Sequence, residues 1–345
     1  MTVVPQNSSE MLSRAFPGSI GGVRAGSGPL AWPGYVRLAW REARPSVQLM
    51  FQLRFLAGAL LCAVGPVVAP APVAGRLPSG ATLAGVLLGA LAWLCVTWHI
   101  YLLNGICDQT EDRHNGSGRP LASGTLPVRA ARAVATGLAV VAVGLGAALG
   151  WVLAVLVLAM LGLGWAYSAG PRPQKANVPG FIVVVTAGGL LTYLAGWLCA
   201  GGARALGAPA WLAAGPATGA APVPDPALTP LVVLAAAMSL WMSLGGMTKD
   251  LSDIAGDRAA GRRTLPVLLG DRRARTLMAV LAIGVGGGLC AVAALAVPVL
   301  LPAGAVLLAG GAAVASCLAS RASRGRRGRL RIPYRAFMTA QYAVH

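Results

Sequence analysis

Residues 81–112 read ATLAGVLLGALAWLCVTWHIYLLNGICDQTED. From Ala81 to Leu103 the only ionisable side chains of note are His99, Cys95 and Tyr101, and no acid, Lys or Arg occurs. A run of about 20 apolar residues crosses the hydrocarbon core of a bilayer as a helix. Polarity then changes within one turn, to Asn104, Asp108, Glu111 and Asp112. The same change recurs further along, where the apolar run from 228 ends in Lys249, Asp250, Asp253 and Asp257. Twice, then, an apolar helix is expected to stop at a row of carboxylates.

Working outward, apolar runs predict eight membrane helices, at about 46–72, 81–104, 130–149, 151–168, 179–200, 228–249, 275–297 and 301–319. The chain of 345 residues is 56% hydrophobic and only 11% charged, against about 25% charged in soluble domains. The fold class expected is an all-α integral membrane protein, a multi-helix bundle with eight complete transmembrane helices. Arg54, Gly65 and Pro66 interrupt the first run and predict a kink or a slanted entry there. Residues 1–40, rich in Gly, Ser and Pro at their start and without a secretory signal core, read as a flexible tail. The membrane domain is expected over 41–320. Residues 321–345 read as a basic amphipathic tail on the inner leaflet or as the start of a ninth helix.

The net charge of +18 is better explained by orientation than by nucleic acid, because short cytoplasmic loops retain Lys and Arg. With the N-terminus inside, 25 of the 28 basic residues fall on the inner side, leaving Arg76 and Arg204 outside and Arg54 within the first helix. This predicts a multi-pass plasma-membrane protein whose N-terminus and working face are cytoplasmic. The six cysteines form no CxxC pair and read as small buried hydrophobes.

Of the ten acids, seven fall in two inner loops. Asn104, Asp108 and Asp112 are spaced i, i+4, i+8, and Asp250, Asp253 and Asp257 are spaced i, i+3, i+7. At 3.6 residues per turn each set lies on one face of a helix. Glu111 is expected to turn away, toward solvent or a basic neighbour. Carboxylates so spaced repel unless cations sit between them. Mg²⁺ takes oxygen ligands and is usually completed by substrate phosphates. Two facing clusters flanked by Lys and Arg, above an apolar cavity, suit a polyprenyl diphosphate. Tyr167, Arg172 and Lys175, at the inner end of the fourth predicted helix, are further candidates to meet the diphosphate. Arg119 follows a Gly-Ser-Gly turn and precedes Pro120. His99, one turn before Asn104, faces near the carboxylate line, and His114 reads as a solvated loop residue.

At these residues the sequence resembles the UbiA superfamily of intramembrane prenyltransferases. The first motif of that family, NDxxDxxxD followed by Arg-Pro, reads here Asn104-Gly105, Asp108, Asp112 and Arg119-Pro120. The second, KDxxDxxGDxxxGxxTLPV, is matched by Lys249-Asp250, Asp253, Gly256-Asp257, Gly261 and Thr264-Leu265-Pro266-Val267. The resemblance spans about residues 40 to 345. It implies a bundle around a lipid-open cavity with a cytosolic cap, and Mg²⁺-dependent ionisation of a prenyl diphosphate. It implies that Asn104, Asp108, Asp112, Asp250, Asp253 and Asp257 are metal and diphosphate ligands, with Asp108, Asp112, Asp250 and Asp253 catalytic. It implies that Arg119, Lys175 and Lys249 bind phosphate oxygens. The sequence departs from the pattern at Gly105, which replaces an Asp.

The expected activity is transfer of a prenyl group to an aromatic or other small acceptor. The alternative is a terpene cyclase that uses the same metal chemistry and captures the cation within the substrate. A cation transporter fits less well, because its acids belong near mid-bilayer and these stand at helix ends.

Overall fold

The computed structural model describes residues 30–68, 80–201 and 228–345. Regular structure there is helical, apart from one isolated bridge between Asn177 and Arg263. The helices are α1 Trp32–Glu42, α2 Pro45–Val68, α3 Gly80–Cys107, α4 Gln109–His114, α5 Val128–Leu149, α6 Trp151–Ser168 and α7 Val178–Cys199. They continue as α8 Leu228–Asp250, α9 Ile254–Ala259, α10 Leu265–Ala296, α11 Leu301–Ala319, α12 Arg327–Leu330 and α13 Ile332–Val344. Among the described residues eight helices are long and apolar enough to cross a membrane: α2, α3, α5, α6, α7, α8, α10 and α11. The protein is a multi-pass membrane protein. Large apolar side chains such as Leu87, Val140, Val183 and Leu295 stand exposed on these helices, as expected where the surroundings are lipid.

Most boundaries fall within a few residues of the hydropathy runs, and three differ for physical reasons. First, the segment read as a tail over 1–40 is helical from Trp32; residues 1–29 lie outside the described residues. Pro33 in the first turn presets the helical φ, and α1 buries Ala39 and Glu42. Second, the backbone of α2 is helical from Pro45 to Val68, with no break at Arg54. Arg54 is turned inward and fully buried, donating to Gln341 Oε1 at 2.7 Å and to Met242 Sδ. Its charge faces a polar partner across the bundle, so the helix has no reason to break there. Third, α10 begins at Leu265 instead of 275, and its first turn is set off by Gly270 at φ 75°. Thr264 and Pro266 launch this turn, and the polar stretch Asp271–Arg275 hides it from a hydropathy reading.

Small residues let the helices close. A Cβ on Gly58 would lie 2.1 Å from the Tyr193 carbonyl oxygen, and one on Gly196 would lie 1.8 Å from that of Phe55. Helices α2 and α7 therefore cross backbone to backbone. One part of the core gathers Phe55, Trp93, Val157 and Ala195 from α2, α3, α6 and α7. Another gathers Trp197, Trp241, Met278 and Leu307 from α7, α8, α10 and α11. Helix α13 joins this second core: Phe337 stacks on Trp241 with ring centroids 5.4 Å apart, and Tyr193 hydroxyl meets His345 Nε2 at 2.5 Å.

Candidate active site

Both carboxylate clusters line one cavity at one end of the bundle. The expected straight rows are absent, however. Helix α3 ends at Cys107, Asp108 bends the chain at φ −93°, ψ 7°, and α4 restarts at Gln109. Likewise α8 ends at Asp250, a turn closed by Asp253 N–H on the Asp250 carbonyl at 3.0 Å follows, and α9 restarts at Ile254. Asp disfavours helix interiors because it competes for backbone groups. Asp108 and Asp253 precede their short helices without capping them; both carboxylates are turned to cations instead.

Except for Lys249, which stands one turn before Asp253, those cations come from distant parts of the chain. Asp108 pairs with Lys175 and, at 2.9 Å, with Arg262. Arg262 also holds Glu111, and Asp257 at 3.6 Å, so one guanidinium ties the first cluster to the second. Backbone pairing aims it there: the N–H of Arg263 donates to the Ala176 carbonyl at 2.8 Å, beside the turn that carries Lys175. Asp253 takes Lys249 at 3.0 Å and Arg327 at 3.0 Å. Thr264 hydroxyl donates to Asp257 at 3.2 Å. Asn104 amide donates to Ser168 Oγ at 3.1 Å.

The charges follow from this wiring. Burial pushes Asp253 upward, but Lys249, Arg327 and Ser252 together outweigh it and hold the carboxyl down at about 2. Asp108, also buried, is held below its ordinary value by Lys175 and Arg262. Burial raises Glu111, with Asp108 adding to the effect against Arg262. Asp257 is raised by burial in spite of Arg262 and Lys249.

The other sequence candidates divide. Tyr167 and Lys249 line the cavity, and Tyr167 lies 6.3 Å from the Phe181 ring. Arg119 stands behind the site, paired with Asp112 at 2.7 Å and Glu42 at 2.6 Å, and does not line the cavity. Arg172 is exposed and away from it. Its flanking prolines hold it out on the loop, while Lys175, on the following turn, is drawn in by Asp108. His99 bonds the Ala135 carbonyl at 2.8 Å instead of facing the acids, and His114 is exposed. Sequence reasoning missed Arg262, Arg327, Ser168 and Glu42. For Arg262 a signal existed, since it sits inside the second motif between Gly261 and Thr264.

Among the described residues no three His, Cys, Asp or Glu side chains converge on one point. The donor set nevertheless fits a hard cation. The Asp250 carboxylate lines the cavity and makes no hydrogen bond or ion pair among the described residues. Half-buried on the cavity wall, its oxygens are left open to a cation, and oxygen donors of this kind suit Mg²⁺. Below the polar mouth the walls turn apolar and aromatic, with Phe51, Tyr101, Tyr167, Phe181, Tyr334 and Phe337.

Comparison with known proteins agrees with this geometry. The sequence profile of the UbiA prenyltransferase family matches residues 63–340. The chain is 32% identical over 245 residues to digeranylgeranylglyceryl phosphate synthase of Halobacterium salinarum, covering 70% of this chain and 75% of that one. It is 35% identical over 222 residues to somaliensene A/B synthase of Streptomyces somaliensis, covering 61% of each. The fold matches that of a UbiA homologue from Archaeoglobus fulgidus solved with GPP and Mg²⁺, with a TM-score of 0.58 at 20% identity over 89% of this chain and 99% of that one.

Proposed function

This chain belongs to the UbiA prenyltransferase family, and from that premise we propose that it ionises a polyprenyl diphosphate with Mg²⁺ and transfers the prenyl group to an aromatic or other small acceptor. The observation that carries the proposal is the pairing of two acid clusters, interleaved with Lys and Arg, at the polar mouth of a cavity whose remaining walls are mostly apolar and aromatic. The Archaeoglobus homologue bound to GPP and Mg²⁺ supports the choice of ligands.

Asn104, Asp108, Asp112, Asp250, Asp253 and Asp257 supply oxygen atoms for the metal. Mg²⁺ held by these oxygens would supply stabilisation of the charge that develops on a departing diphosphate. Lys175, Lys249 and Arg262, now paired with carboxylates, exchange those partners for phosphate oxygens. Arg119 acts one step back by holding Asp112. Tyr167 and the neighbouring rings present their faces to the cation left behind, and the apolar walls around them limit the water that reaches it. The polar mouth faces the cytoplasm, as the loop charges require.

A second reading, a terpene cyclase, is favoured by the aromatic lining and by the likeness to somaliensene A/B synthase. One experiment separates the two. Membranes holding the protein are incubated with geranyl, farnesyl and geranylgeranyl diphosphates, with and without aromatic acceptors and Mg²⁺. Transfer gives a product whose mass is that of the acceptor plus the prenyl group less one hydrogen, because the prenyl cation replaces a proton of the acceptor. Cyclisation gives a hydrocarbon or alcohol without acceptor. Turnover that ignores the metal sinks both readings.

A further inference from the structure

Behind the acids that face the cavity stands Glu42, the last residue of α1, fully buried. Its Oε1 lies 2.6 Å from Arg119 Nη2, and its Oε2 accepts the Leu121 backbone N–H at 2.9 Å. The Glu42 carbonyl accepts from the same Nη2 at 3.2 Å. The other terminal nitrogen of Arg119, Nη1, holds Asp112 at 2.7 Å. Glu42 thus grips both the guanidinium and the backbone of the Arg119–Leu121 turn, and Arg119 passes that grip to a carboxylate of the first cluster.

Gly105 gives this arrangement its meaning. A Cβ at position 105 would lie 2.4 Å from Glu42 Oε1 and 3.0 Å from Arg119 Nη2. The space a side chain there would need is already filled by the Glu42 carboxylate. An acid carried by α1 therefore occupies the volume beside α3 that any side chain at position 105 would take.

We infer that Glu42 and Gly105 are a matched pair: the absence of a side chain at 105 leaves room for the α1 carboxylate, which positions Arg119 and, through it, Asp112. The inference rests on the proposed function to the extent that Asp112 serves the diphosphate site. Glu42 does not line the cavity, so it is a positioning residue. Glycine at 105 is required because Glu42 is present, and α1 becomes part of the active-site architecture.

A reciprocal exchange tests this. Glu42→Gln, Gly105→Asp and the double variant Glu42→Ala/Gly105→Asp are made in the full chain, in lipid nanodiscs. Two quantities are read: binding of inorganic pyrophosphate in the presence of Mg²⁺, and the thermal midpoint. Glu42→Gln keeps an acceptor for Leu121 N–H but loses the charge on Arg119, and is expected to weaken pyrophosphate binding about tenfold. Gly105→Asp alone crowds two acids around one arginine and is expected to be at least as damaging. The double variant is expected to return to within about threefold of the unmodified protein, the non-additivity that marks a coupled pair. A double variant no better than the worse single variant overturns the inference. So does Glu42→Gln with unchanged affinity, or a set of variants that lose only thermal stability. An unmodified protein that binds no pyrophosphate with Mg²⁺ overturns the proposed function, and this inference with it. Unmodified binding with indifferent variants overturns the inference alone.

Discussion

Asp253 shows how one side chain in this site is tuned. It is 6% exposed and held at about 2, below its usual 3.8, by Lys249, Arg327 and Ser252 against the opposing effect of burial. A carboxyl depressed in the folded state contributes stability above its unfolded value, and that stability is lost as pH falls through the folded value. The thermal midpoint of the wild type should therefore exceed that of Asp253→Asn by a constant margin above pH 3.8, and the margin should shrink as pH falls toward about 2. A margin unchanged over that range would contradict the wiring. Asp108→Ala and Asp253→Ala are each expected to abolish diphosphate release while the helical circular dichroism is retained; normal turnover in either removes these residues from the site. Arg262→Ala leaves Asp108, Glu111 and Asp257 without their shared cation. Removing one partner of a buried pair costs about 3–5 kcal/mol, so a clear fall in thermal midpoint is expected, with partial recovery by added Mg²⁺. The six ligand candidates were legible in the sequence because their spacing is local. Arg262 was not, because it meets Asp108 across 154 residues of chain.

Elements show the same contrast between local pattern and assembly. Hydropathy found α5, α6, α7, α8 and α11 nearly to the residue, because a membrane span is a property of one continuous run. It could not find the breaks at Asp108 and Asp253. Those breaks let each carboxylate reach a cation from another segment, Arg262 before α10 for Asp108 and Arg327 on α12 for Asp253, instead of staying in register with its neighbours. The α2–α7 crossing is likewise a tertiary fact. Gly196→Ala would press a methyl group to 1.8 Å from the Phe55 carbonyl oxygen, and is expected to cost at least about 2 kcal/mol through overpacking. Gly144→Ala on α5, where an added Cβ meets nothing within 4 Å, is the control and should be neutral or slightly stabilising. Thermal unfolding in detergent compares them; equal midpoints would mean that the two helices are not in backbone contact.

The whole molecule places every charged group of the site at one end of the bundle. The proposed orientation puts that end in the cytoplasm. Cys107 is exposed at the junction of α3 and α4, beside the acids. In a variant that keeps Cys107 and replaces the other five cysteines, a membrane-impermeant thiol reagent should label inverted vesicles and spare intact cells. Labelling of intact cells alone would reverse the orientation. Helix α13 also belongs to this scale, because its Phe337, Gln341 and His345 meet α8, α2 and α7. It closes one side of the cavity with Tyr334, Phe337, Met338 and Gln341.

Taken alone, the sequence determined the membrane class, the eight spans and the two acid clusters, since hydrophobic length and motif spacing are properties of neighbouring residues. That Arg262 bridges the two acid clusters, and that Arg327 reaches Asp253, was decided only by the tertiary structure. So was the filling of the space above Gly105 by Glu42, a residue 77 positions before the arginine it holds. These long-range ion pairs and this shared volume arise between residues that only packing brings together, and no periodicity along the chain encodes them.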